Sequence, residues 1–318
     1  MAKGHSVCVY VGEALGRYGF GDEHPFGPER MGVFWDRMIS QGLDAVVAVH
    51  DPVCAERADI ERFHTPEYVD KVIRQSESGT GYLDYGDTPA FPGVYEAAAH
   101  VVGSAVDAAR QLMDQQCRHT FIPIAGLHHA RRNVAGGFCV FNDCGVVIEM
   151  LRSEYGLKRV AYVDIDAHHG DGVFYGFEED PDLLFADIHE DGRYLYPGTG
   201  AADESGRGLA KGTKLNIPMP PGADDDQFLV AWQRVEDYLR AGRPEFIILQ
   251  CGADSVRGDP ITHMCYTPAA HAHAATRLAG IANEFCDGRL LALGGGGYNH
   301  QNIALAWTAV VRSLLDAA

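Results

Sequence analysis

Short apolar runs alternate with helix-patterned stretches along nearly the whole chain, and this alternation limits the fold more than any other feature. The runs cover residues 6–11, 45–49, 120–124, 160–165, 183–188, 246–250 and 290–293. Helical patterning covers 93–113, 144–155, 225–241, 268–285 and 301–315. In the last stretch Ile303, Trp307, Val310, Val311, Leu314 and Leu315 recur at helical spacing along one face. Strands that are apolar throughout, each followed by a helix, imply a parallel sheet covered on both faces. The expected class is therefore α/β. No linker rich in Pro, Ser or charge divides the 318 residues, so 1–318 is read as one domain. Loops are expected at 12–30, 79–93 and 190–215, long enough to carry function.

Several function classes fall away on composition. No apolar stretch reaches membrane-spanning length. The first residues lack the apolar core of a secretory signal. The chain has 44 acidic against 26 basic residues, a net charge of −18. Such a field repels phosphate backbones, so direct nucleic-acid binding is not expected, whereas basic peptides and polyamines are attracted. The eight cysteines include no C-x-x-C pair, which removes zinc-ribbon and thioredoxin-type sites. Scattered in this way, they are expected to be reduced thiols in a cytoplasmic protein.

In an open parallel sheet, ligands bind beyond the carboxyl ends of the strands. In this chain those positions are rich in carboxylates and imidazoles. His128-His129 follows the run ending at Ile124. Asp164-Ile-Asp166-Ala-His168-His169-Gly-Asp171-Gly172 closes the run that begins at Val160. Asp187 and His189 lie at the end of the next, Asp254 follows 246–250, and Gly294–Gly297 leads into Tyr298 and Asn299. Alternate residues of an extended chain share a face, so Asp164, Asp166 and His168 point the same way. Carboxylates this close ionise together only around a cation. Asp166 and His168 are ligands for a divalent ion that takes N and O donors. Asp254 can be a third ligand or a helix cap. The adjacent histidines can be a core pair or a catalytic pair, each backed by a carboxylate. The four-glycine run is not a phosphate loop, because no G-x-x-x-x-G-K-[ST] exists anywhere. It is read instead as backbone passing close to a ligand and presenting Tyr298, whose phenol can donate to oxyanion charge. G-x-S-x-G and H-E-x-x-H are also absent.

Taken in order, Gly126-Leu-His-His-Ala130, Gly137-Phe-Cys139, Asn142-Asp143, the segment 164–172, Tyr196-Pro-Gly-Thr-Gly200, Gly252-Ala-Asp254, Gly258-Asp-Pro260 and Gly294-Gly-Gly-Gly-Tyr-Asn299 resemble the zinc-dependent histone deacetylases and their bacterial acetoin-utilisation relatives. The resemblance runs from about residue 6 to 312. It implies the arginase/deacetylase fold, a mostly parallel sheet between helices, and one zinc ion on Asp166, His168 and Asp254. It also implies a tandem pair His128 and His129 backed by Asp164 and Asp171, and Tyr298 on the substrate carbonyl. Gly137, Phe138, Tyr196 and Ile261 are implied to line an acyl-lysine channel, with Asp87 at its rim. Arg30 and Leu127 fall in a pocket for the released acid. A structural K+ is implied on Asp164, Asp166, His168, Asp187 and Ile188.

Three positions depart from the common pattern. Asp187 stands for Ser or Thr, Tyr196 for Phe, and Ile261 for Leu or Met, which leaves acyl-chain preference open. Arginase-like binuclear enzymes share the fold but carry further carboxylates where this chain has Gly170 and Val256, so one metal is expected. The implied activity is hydrolysis of Nε-acyl-lysine in proteins or peptides. The alternative is an acetylpolyamine amidohydrolase, whose relatives typically carry Glu-Gly-Gly before the tyrosine.

Overall fold

The computed structural model describes residues 5–21 and 24–318. Residues 1–4, part of the leader reading, and 22–23, within the expected loop 12–30, lie outside the described residues. Eight strands form one sheet: β1 (His5–Tyr10), β2 (Ala48–His50), β3 (Cys117–Ile122), β4 (Val160–Asp164), β5 (Leu184–Glu190), β6 (Lys214–Met219), β7 (Phe246–Gln250) and β8 (Leu290–Leu293). Their spatial order is β2-β1-β3-β8-β7-β4-β5-β6. Every adjacent pair is parallel. The central strands β4, β5, β7 and β8 are buried along their whole length, as strands covered on both faces must be.

The helices are α1 (Glu13–Gly16), α2 (Arg30–Ser40), α3 (Arg57–Ile60), α4 (Pro66–Ser78), α5 (Val94–Met113), α6 (Asp143–Tyr155), α7 (Asp171–Gly176), α8 (Asp225–Gly242), α9 (Pro268–Phe285) and α10 (His300–Ala317). The apolar stripe read from 301–315 is the buried face of α10, where Ile303, Trp307, Val310, Val311 and Leu314 are all inaccessible to solvent. No helix of the described residues is long and apolar enough to cross a membrane.

The expected α/β class holds, with three corrections of detail. β6 falls partly inside the expected loop 190–215. It is an edge strand that contains Pro218 and mixes Lys214 and Asn216 with apolar residues, so it lacks a continuous apolar run. Helices α2 and α4 bury few apolar side chains, Phe34 and Met38 on α2 and Tyr68, Val69 and Val72 on α4, among polar neighbours, so no long apolar stretch marks them. The cysteines are not all free: Cys8 on β1 and Cys117 on β3 form a disulfide, and six remain as thiols. The partners are 109 residues apart in sequence, so spacing could not disclose the pair.

Strand order positions the site. The chain leaves β3, builds β4 to β6 at a distance, and then returns to insert β7 and β8 into the gap. The carboxyl ends of β3, β8, β7 and β4 thus form one row, with neighbours ~4.8 Å apart. Residues separated by more than 160 positions in sequence are brought together there.

Candidate active site

Asp166 and His168 follow β4, and Asp254 follows the neighbouring strand β7. His168 Nδ1 lies 3.1 Å from Asp166 Oδ1 and 3.1 Å from Asp254 Oδ2. All three side chains are buried, and their donor atoms fall within 4.8 Å of one another. Burial penalises the imidazolium, but the two carboxylates outweigh it and push His168 up to about 10. Burial and Asp166 push Asp254 up to about 7, while His128 and His168 hold Asp166 well below the usual range despite its burial. A centre this anionic calls for a cation among the three groups. Two carboxylates and an imidazole, with no thiolate, fit a zinc-type divalent ion.

The glycine run has a steric reason. Gly296 donates its N–H to Asp166 Oδ2 at 2.8 Å, and a Cβ on Gly296 would lie 2.1 Å from Asp254 Oδ2. The backbone passes as close to the candidate ligands as the sequence reading anticipates.

His128 and His129 follow β3. His128 Nδ1 is 2.8 Å from Asp164 Oδ2, and His129 Nδ1 is 2.8 Å from Asp171 Oδ1. The catalytic-pair geometry is therefore the one observed. Burial, and His128 beside it, push His129 down to about 4 although Asp171 pulls the other way. Its ring is then neutral at pH 7 and has basic capacity. Tyr298 follows β8 and packs between Phe138 and Phe26, with ring centroids at 5.8 and 6.5 Å. Burial raises its phenol well above 10, so it stays protonated and can donate.

Gly137, Phe138 and Tyr196 come together beside this centre. Gly137 has φ +52°, and a Cβ there would sit 2.3 Å from the His129 ring. The Tyr196 ring is 5.1 Å from that of His129. Asp87 and Tyr196 line a cleft of about 850 Å³ that also reaches His129 and Asp171. Burial and the neighbouring Asp84 push Asp87 up to about 7. Ile261 is half-buried, and its N–H is held by Asp259 Oδ1 at 3.1 Å.

Arg30 is fully buried on α2. It donates to the carbonyls of Gly297 and Gly295 at 2.9 and 2.6 Å, and its Nη1 has no hydrogen-bond partner among the described residues. Leu127 is buried next to the tandem histidines. The Asp187 carboxylate is already engaged: Oδ1 pairs with His189 Nδ1 at 2.7 Å, and Oδ2 accepts from the N–H of Gly170 at 2.9 Å. Ile188 is buried beside it on β5.

Several contributors have no role assigned from the sequence, although Asp143 and Asp259 stand in its motifs. Asp143 accepts the N–H groups of Gly126 and Leu127, both at 2.8 Å, and so fixes the loop bearing the histidines. Gln250 donates to Asp166 Oδ2 at 2.8 Å; a lone amide ending an apolar strand was its signal. Asp259 accepts the N–H of Tyr298 at 2.8 Å. Arg131 holds Asp171 Oδ2 at 2.9 Å, and nothing local marks it.

Comparisons with known proteins bear on the fold and the family. Residues 24–314 match the histone deacetylase domain family. The chain is 36% identical over 314 residues to the acetoin utilization protein AcuC of Bacillus subtilis, covering 96% of this chain and 81% of that protein. It is 32% identical over 312 residues to histone deacetylase clr6 of Schizosaccharomyces pombe, covering 95% and 75%. The crystal structure of the HDA15 HD domain superposes with a TM-score of 0.92 at 29% identity, covering 98% of this chain and 88% of that one. On these grounds, and on its all-parallel sheet with carboxylates and imidazoles at the strand ends, the chain belongs to the histone deacetylase family and is a deacetylase of that hydrolase class.

Proposed function

We propose that this chain is a zinc-dependent deacylase of Nε-acyl-lysine in proteins or peptides. One observation carries the reading: the Asp166–His168–Asp254 cluster lies beside two histidines that each have a carboxylate partner. Those three side chains would hold a zinc ion, which would supply Lewis-acid polarisation of a water and of the scissile carbonyl. His129, neutral at pH 7, takes the proton of the attacking water. Asp171 fixes its ring by holding Nδ1, and Arg131 anchors Asp171 from the far side. His128, oriented by Asp164, assists proton delivery to the leaving amine. Tyr298 donates to the tetrahedral oxyanion.

The walls are Gly137, Phe138, Tyr196 and Ile261, with Asp87 holding the substrate at the rim. Arg30 and Leu127 receive the released acid, for which the unpaired Arg30 Nη1 is a ready donor. A structural K+ on Asp164, Asp166, His168, Asp187 and Ile188 belongs to the same reading, as do a single domain over 1–318 and a cytoplasmic location. The net charge of −18 attracts lysine-rich peptides and acetylated polyamines alike, so the polyamine alternative stays in the test. That test is a kinetic panel of acyl-lysine peptides and acetylated polyamines, with bound zinc measured in parallel. Turnover of peptides by zinc-loaded protein is expected. Turnover of polyamines alone overturns the substrate assignment.

A further inference from the structure

We propose that the Tyr196 hydroxyl selects peptide substrates by donating a hydrogen bond to their main chain at the channel mouth. The proposal rests on the deacylase reading above and names what that site reads in its substrate.

The hydroxyl lies on the Gly136 side of the cleft. A Cβ on Gly137 would lie 3.0 Å from the Tyr196 ring at Cε1 and 2.3 Å from the His129 ring, which marks the deep end. A Cβ on Gly136 would lie 3.3 Å from the Tyr196 hydroxyl and no closer than 3.7 Å to His129, at its carbonyl oxygen. The axis from ring to hydroxyl therefore runs from the Gly137 side towards Gly136. It ends in the cleft shared by Asp87, Arg131, Gly136 and Pro197. The ring packs along the channel, so it is the hydroxyl that makes the residue different from a phenylalanine.

That hydroxyl is unused. Among the described residues no polar atom hydrogen-bonds to it, and Tyr196 is 47% exposed. Elsewhere in the molecule the phenols of Tyr18 and Tyr68 are buried and donate to main-chain carbonyls at 2.8 and 2.7 Å. Across the cleft, Asp84 Oδ1 accepts the N–H groups of Gly86, Asp87 and Thr88 and so fixes the rim loop. The Asp87 carboxyl is left lining the cleft.

An acceptor on one side and a free donor on the other match a peptide unit, which offers both N–H and C=O. An acylated polyamine presents methylenes and N–H donors at that depth; its N–H groups can donate to the hydroxyl oxygen but leave the O–H with nothing to donate to. Overall charge cannot separate the two substrate classes, because both are cations, but an O–H donation that only a peptide C=O can accept does.

The experiment compares wild-type protein and Tyr196→Phe, at equal zinc content, on an acetyl-lysine peptide and on N-acetyl-1,5-diaminopentane, which carries the same acyl-amine arm without a main chain. The expected result is that the peptide KM rises about three- to tenfold in Tyr196→Phe, the range of one hydrogen bond, with kcat held within about twofold. The ratio of kcat/KM for peptide over diamine falls by the same factor. An unchanged ratio, whether both substrates are unaffected or both decline equally, overturns the role of the hydroxyl. Failure of zinc-loaded wild-type protein to turn over the peptide instead overturns the deacylase reading, and that outcome is read before the variant is compared.

Discussion

The Nε2 atoms of His128 and His129 lie 3.1 Å apart, and each ring is held from behind by a carboxylate at 2.8 Å. Two facing ring nitrogens at that distance can share one proton but cannot both point an N–H at the other. The two carboxylates differ in surroundings. Asp164 accepts from Tyr162 at 2.5 Å inside an anionic cluster, and burial together with Asp187 and Asp166 raises it well above the usual range. Asp171 is held by Arg131 and, despite burial, stays low because His129 and Arg131 favour its ionised form. His129 is neutral at pH 7 because burial and the neighbouring His128 outweigh the pull of Asp171. His129→Ala is expected to lower kcat by about 10²- to 10⁴-fold while zinc stays bound, measured by steady-state kinetics with metal analysis. Retained turnover removes His129 from the role of base.

Tyr298→Phe keeps the ring packed between Phe138 and Phe26 and deletes only the donor. Losing one oxyanion donor costs ~3 kcal/mol, about a hundredfold or more in kcat. Zinc content and melting temperature should match those of the wild type. A rate within a few-fold of wild type is incompatible with the assignment.

His168→Ala and Asp254→Ala each remove one of three donors and should abolish metal binding and activity together. Gly296→Ala is a subtler probe, since its new Cβ would press on Asp254 Oδ2 and on Asp166 Oδ2, 2.1 and 2.8 Å from where it must sit. Weakened zinc binding in a chain that still folds is the expected result, read by metal titration and circular dichroism. Wild-type affinity in Gly296→Ala would mean that the close approach has no bearing on the metal.

Without metal, the proton on His168 does part of a cation's work. Its pKa in the folded protein, about 10, lies above the ordinary ~6.5 of an unfolded chain. The stabilisation is therefore complete below ~6.5 and is lost as pH rises through about 10. Zinc must displace this proton, so binding at pH 7–8 should release about one proton per ion, seen as a buffer-dependent heat in calorimetry. The melting temperature of the metal-free protein should fall between pH 8 and 10 more steeply than that of the zinc form. Proton-independent binding would contradict the protonated state of His168.

The sequence alone determined the layered α/β class and the placement of the chemistry at strand ends. Full burial forces continuous apolar runs on central strands, and burial of one face forces helical spacing on α10; both marks are local. The segment Asp164–Asp171 was legible for the same reason, because one strand end carries two carboxylates and an imidazole within five residues. Strand order is not local, and it decided the rest. Only the insertion of β7 and β8 between β3 and β4 brings Asp254 into one cluster with Asp166 and His168, turns Gln250 towards Asp166, and sets Tyr298 near Asp254 and Asp166. The edge strand β6, the Cys8–Cys117 pair, the grip of Arg131 on Asp171 and the place of the Tyr196 hydroxyl beside Gly136 all depend on neighbours distant in sequence. Periodicity records which side of an element faces the core, but not which other element it meets there.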